Sequence, residues 1–128
     1  MKTMSFSILF YFVSFFGFAQ NTIDETLKKY NTNSVKYIST KALADSIQAK
    51  RNFVLLDARS LKEYRVSHFK DAIHVGYRNF NLAKLPNALQ KNDTLIVYCS
   101  VGVRSEQIGE QLQQAGFLNV YNLYGGIF

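Results

Sequence analysis

One cysteine, one proline, two histidines and no tryptophan in 128 residues close several options at once. A lone thiol, Cys99, cannot form a disulfide within the chain, so cross-links do not hold this fold together. His68 and His74 are the only imidazoles and both lie far along the chain from Cys99, so the spacing of a metal site is missing and no metal or organic cofactor is expected. Pro86 stands alone, and there is no proline-rich linker, internal repeat or low-complexity tract. Acidic residues are scarce, nine against fifteen lysines and arginines, for a formal net charge of +6. The cations are scattered (Lys28, Lys29, Lys50, Arg51, Lys62, Arg65, Lys84) and lack the interleaved aromatic and basic pattern of a nucleic-acid surface. They read as a solvated face that attracts small anions, with no nucleic-acid partner.

The one long apolar run is N-terminal. Met1-Lys2 is a short basic start, Phe6 to Phe16 is almost wholly apolar, and Gly17-Phe18-Ala19 supplies the small residues a signal peptidase reads. The run is shorter than the roughly 20 apolar residues of a spanning helix. Residues 1–19 are therefore expected to be a signal peptide cut between Ala19 and Gln20. The mature chain is then periplasmic or extracellular, with no stable membrane insertion. Export sharpens the meaning of Cys99, because structural cysteines in oxidising compartments come in pairs. An odd one points to intermolecular pairing or a reactive thiol.

Strands and helices alternate along the rest. Residues 20–34 form a polar lead-in or short helix. Val35–Ile38 reads as a strand, and Ser39 or Thr40 caps a helix carrying Leu43, Ala44 and Ile47. Phe53–Leu56 is a buried strand ending at Asp57-Ala58-Arg59, and Ser60 starts a short helix through Tyr64. Ala72–Val75 is a brief strand, and 79–89 a mixed helical segment broken at Pro86. Leu95–Tyr98 is the next strand, and Ile108, Leu112 and Ala115 line a helix that stops at Gly116. Asn119–Asn122 is the last strand. The alternation predicts an α/β fold: an open, mostly parallel five-stranded sheet with helices on both faces.

In that frame Cys99 sits at the C-terminal tip of a strand, followed by a tight loop and a helix N-terminus. Ligands of open parallel sheets bind in the crevice at the strand C-termini. Helix-start amides stabilise an anion there, and a thiol so placed ionises more easily than a free one. Gly102 lets the backbone curl into a cradle of N–H groups. The competing reading is a small buried hydrophobe, the fate of many free cysteines.

Five short motifs, in order, carry a family resemblance. They are Asp57-Ala58-Arg59, Glu63-Tyr64 with His68-Phe69, Ala72-Ile73, the loop from Tyr98 to Ser105, and the closing Leu123-Tyr124-Gly125-Gly126. Over residues 35–128 the chain resembles the rhodanese homology domain. Ser67 and Asp71 stand where that family usually has glycine. The chain stops at Phe128, where related domains continue into a closing helix.

The resemblance implies a sulfurtransferase. Cys99 is the catalytic nucleophile, taking a sulfane sulfur from a small anionic donor such as thiosulfate and passing it to a thiol or cyanide acceptor. Ser100, Val101, Gly102, Val103 and Arg104 form the binding loop. Arg104 either faces the pocket or braces the loop against Asp57. Asp57 and Arg59 are structural partners, because a carboxylate beside a thiolate opposes its ionisation. His68 belongs to the scaffold in that family, and Tyr77 and Arg78 line the mouth of the site. Two other classes stay open. One is a phosphatase or arsenate-reductase-like enzyme, disfavoured because only four residues separate Cys99 from Arg104. The other is a non-catalytic or redox-binding module, disfavoured by the retained Cys99.

Overall fold

The computed structural model describes residues 22–128. The expected signal segment lies outside the described residues. The chain divides into two compact units after Tyr30. Ahead of that point, residues 22–30 are helical (α1).

The second unit begins at Asn31. It contains strands β1 (Lys36–Ile38), β2 (Val54–Asp57), β3 (Ile73–His74), β4 (Thr94–Tyr98) and β5 (Asn119–Leu123). Between them lie α2 (Thr40–Gln48), α3 (Leu61–Val66), a 3-10 turn (Leu82–Lys84) and α4 (Val103–Gln114). All five strands are parallel, in the order β1-β5-β4-β2-β3. The expected open sheet is the observed one.

Alternation along the central strands splits the core in two. Leu56, Leu95 and Val97 pack with Ile108 and Leu112 of α4, whereas Leu55, Ile96 and Tyr98 pack with Leu43 of α2. Strands with apolar residues on both faces belong at the centre of a two-sided parallel sheet, and β4 and β2 are there. Serine caps start two of the helices. Ser39 accepts from the Ala42 amide, and Ser60 forms a capping box with Glu63.

One segment departs from the sequence reading. Residues 79–89 hold only the 3-10 turn, capped by Asn81, and not a longer mixed helix. Pro86 excludes helix at its predecessor, and Leu85 is extended there at ψ 145.

Candidate active site

β4 delivers Cys99 to the C-terminal edge of the sheet, and Gly102 turns the chain into α4 at φ 125, a conformation that side chains resist. Cys99 is 2% exposed. Its Sγ accepts from the Gly102 amide at 3.1 Å and lies 3.4 Å from Ser105 Oγ. Burial pushes the thiol up. The Ser105 hydroxyl and the amides of Ser105, Val101 and Gly102 outweigh it, and the thiol ionises below its ordinary value. The loop's charge environment includes Arg104, whose cation is itself favoured by Glu63 and by Cys99. A depressed acid stabilises the fold where it is ionised. That contribution is present above the unfolded thiol value of about 8.5 and is lost as pH falls through the folded one.

Two residues to which the sequence reading gives no role at the site hold the loop in place. The Gly102 carbonyl accepts from Asn122 Nδ2 at 2.8 Å and from Asn31 Nδ2 at 2.9 Å. Asn122 therefore presents Oδ1 to Ser105 Oγ, at 2.6 Å. The Ser105 hydroxyl has one proton for two acceptors, Asn122 Oδ1 and Cys99 Sγ. With a neutral thiol it donates to Asn122, and with a thiolate it can swing to sulfur. No local pattern marks these asparagines, since only the fold brings them to Gly102. Ser105→Ala is expected to raise the Cys99 midpoint in an alkylation-rate profile against pH and to slow alkylation near neutrality. Ser105→Thr, which keeps the hydroxyl, should restore it.

The sequence leaves Arg104 between two roles, and the structure supplies a different partner from the one expected. Arg104 donates to both Glu63 carboxylate oxygens, each at 3.0 Å, and to Ser100 Oγ at 2.8 Å. Asp57 is unavailable because Arg59 occupies it, through its amide at 2.9 Å, Nε at 3.0 Å and a terminal nitrogen at 2.6 Å. Arg104 holds Glu63 well below the usual carboxylate range, with Ser60 adding to the effect against burial. Val101 and Val103 carry the loop backbone.

His68 is exposed. Its Nδ1 lies 2.8 Å from the Tyr64 carbonyl and its ring stacks on Tyr64. It makes no hydrogen bond to Cys99 among the described residues. The residue after the closing motif supports the loop: Ile127 donates its amide to the Cys99 carbonyl at 3.0 Å. Among the described residues no group of three or more His, Cys, Asp or Glu comes together to hold a metal, and no helix is long and apolar enough to cross a membrane.

Beside the loop lies a cleft of about 590 Å³, lined by Ser60, Leu61, His74, Gly76, Tyr77, Arg78, Asn79, Lys84 and Arg104. Tyr77 and Arg78 are among these lining residues. Lys84, which the sequence places on a solvated face, is also there.

A five-stranded parallel α/β sheet with a buried cysteine in the loop from β4 to α4 defines the fold and its site. The chain belongs to the rhodanese-like domain family, whose model matches residues 39–128. A rhodanese-like domain protein from Staphylococcus aureus superposes with a TM-score of 0.64 at 24% identity, covering 73% of this chain and 88% of that one. A rhodanese-related protein from Thermoplasma volcanium gives 0.59 at 27%, covering 72% and 86%.

Curated relatives carry a different name from the one the motifs suggest. The chain is 36% identical over 95 residues to a tRNA uridine(34) hydroxylase of Aster yellows witches'-broom phytoplasma, covering 71% of this chain and 30% of the relative. It is 36% identical over 103 residues to that of Buchnera aphidicola, covering 77% and 33%. Against the Streptococcus pyogenes protein it is 32% identical over 117 residues, covering 87% and 34%. The chain thus spans about a third of the length of these relatives.

Their names correct two expectations: the thiosulfate-type sulfurtransferase, and the partner set of small sulfur donors and acceptors without nucleic acid. The cleft gathers charge that the linear reading does not register. Arg78, Lys84 and Arg104 are scattered in sequence, so no linear pattern signals them, yet the fold lines one cleft with all three.

Proposed function

We propose that this chain supplies the thiolate centre for hydroxylation of uridine 34 in tRNA, the reaction for which its relatives are named. The observation that carries the reading is the buried Cys99 thiol, held by the loop so that it ionises below its ordinary value, beside a cation-lined cleft.

Uracil is a conjugated carbonyl, and C6 is its electrophilic carbon. The Cys99 thiolate adds to C6, and the displaced electron pair makes C5 nucleophilic. C5 then attacks an electrophilic oxygen of a peroxide-class oxidant, breaking the O–O bond, so the base is oxidised by two electrons and the peroxide reduced. Loss of the C5 proton expels the thiolate and restores the ring. The N–H cradle stabilises the thiolate both before addition and after expulsion.

The test is nucleoside mass spectrometry of tRNA after incubation with wild type, Cys99→Ser and Cys99→Ala in the presence of the oxidant. Wild type should add the mass of one oxygen at position 34, and both variants should add none while keeping the wild-type circular dichroism. Equal hydroxylation by Cys99→Ala removes the thiolate from the reaction and defeats the reading. Recovery of the native protein outside the cytoplasm with Gln20 at its N-terminus defeats it as well, since tRNA is then out of reach.

A further inference from the structure

The cleft beside the cysteine loop is walled by the end of β3, the 3-10 turn and the start of α4. Three of its lining residues are cationic, Arg78, Lys84 and Arg104, and no carboxylate lines it. Arg104 is spoken for, since its fork is filled by Glu63. Arg78 and Lys84 are exposed, and among the described residues neither has an acidic partner. Lys84 Nζ is held in place by the Val75 carbonyl at 3.3 Å, which orients the ammonium while leaving its charge uncompensated. The opposite wall is fixed too: Tyr77 donates its hydroxyl to Gln107 Oε1 at 2.7 Å, and His74 Nε2 lies 2.8 Å from the Arg59 carbonyl. Two uncompensated cations on an ordered cleft favour an anion with several acceptor oxygens, and a phosphate group has that chemistry.

We infer that this cleft is a phosphodiester subsite, in which Arg78 and Lys84 hold a backbone phosphate of the RNA next to the nucleotide presented to Cys99. The inference rests on the proposed action on tRNA and adds to it the residues that grip the strand. Phosphate contacts position a nucleic acid without reading its sequence. The subsite therefore sets register for the target base and leaves the choice of base to the cysteine loop.

The experiment measures binding of a fluorescent anticodon stem-loop RNA across a salt series. The full chain is compared with Arg78→Glu/Lys84→Glu and with Lys36→Glu/Arg51→Glu. The second pair carries the same change of charge near the N-terminal ends of β1 and β2, away from the cysteine loop. The cleft variant should bind at least about tenfold more weakly at low salt. Its slope of log affinity against log salt should shrink by about 0.7 for each single-strand phosphate that the protein no longer neutralises. The Cys99 alkylation profile should be unchanged, showing an intact loop, and the control pair should bind nearly as wild type does.

Wild-type binding by the cleft variant overturns the subsite while leaving action on tRNA in place. Equal losses in both double variants reduce the effect to overall charge and overturn it too. Full displacement of the RNA by millimolar inorganic phosphate at matched ionic strength identifies a site for free anions and overturns it as well. No RNA binding by the wild type defeats the proposed function itself, a result distinct from the other three.

Discussion

Arg59→Leu is expected to cost about 3–5 kcal/mol of unfolding free energy, the range found when one member of a buried ion pair is removed. Asp57 is fully buried at the C-terminal end of β2. Its carboxylate accepts from the Arg59 backbone amide and from two guanidinium nitrogens. The same guanidinium donates to the Ser67 carbonyl at 2.6 Å and lies over the Tyr98 ring at 5.6 Å. Leucine fills some of the volume but leaves a negative charge with no countercharge, and a carbonyl without a donor.

Urea denaturation of Arg59→Leu, Asp57→Asn and the double variant separates charge from packing. If the uncompensated carboxylate is the main cost, Asp57→Asn in the Arg59→Leu background should recover part of the loss. A double variant no more stable than Arg59→Leu would assign the cost to packing. An Arg59→Leu protein within about 1 kcal/mol of wild type would show that the pair contributes little beyond an exposed one.

The second large effect is expected from Gly126→Ala, with activity falling about 100-fold, the scale of a misplaced catalytic group. Gly126 has φ +63, and an added Cβ would land on the backbone of Cys99 and Ser100. Nothing there is a flexible side-chain tip, so the cysteine loop itself has to move. The loss of cradle geometry should also show as an upward move of the Cys99 alkylation midpoint. Gly116→Ala is the comparison. It too has positive φ, at +95, but the nearest atom to its Cβ is Lys91 Cδ at 3.9 Å. It should lower stability by about 1 kcal/mol and leave the cysteine profile alone. Matching profiles for the two variants would mean that strain, and not a clash with the loop, explains Gly126.

Which features are legible from sequence follows from the range of the forces involved. The strand before Cys99, the turn at Gly102 and the helix with Ile108 and Leu112 are set by local periodicity and turn chemistry, and all three are readable. Ser39 and Ser60 are readable as caps for the same reason. The 79–89 segment reads as a mixed helical stretch broken at Pro86, whereas Pro86 and the Asn81 cap allow a single 3-10 turn. Partner choice is harder. Strand ends alone bring Arg104 toward Asp57, but Arg59 reaches that carboxylate from two residues away and leaves Glu63 as the acceptor. Asn31 and Asn122 are invisible because they lie 71 and 20 residues from Gly102 in sequence and only the fold brings them to it. The partner class is misread for a related reason. A search for clustered basic residues along the chain misses Arg78, Lys84 and Arg104, which only the fold places on one cleft.

The residues that complete the cysteine loop have an implication for biosynthesis. Asn122, Gly126 and Ile127 all follow Cys99 in the chain, and β5 must be made before it can insert between β1 and β4. Until β5 is seated, Cys99 therefore lacks the groups that complete its surroundings. At that stage it is an unassembled thiol with its hydroxyl relay and lower support missing. The lowered titration of the thiol arrives only with that assembly, when the final strand slots into the middle of the sheet.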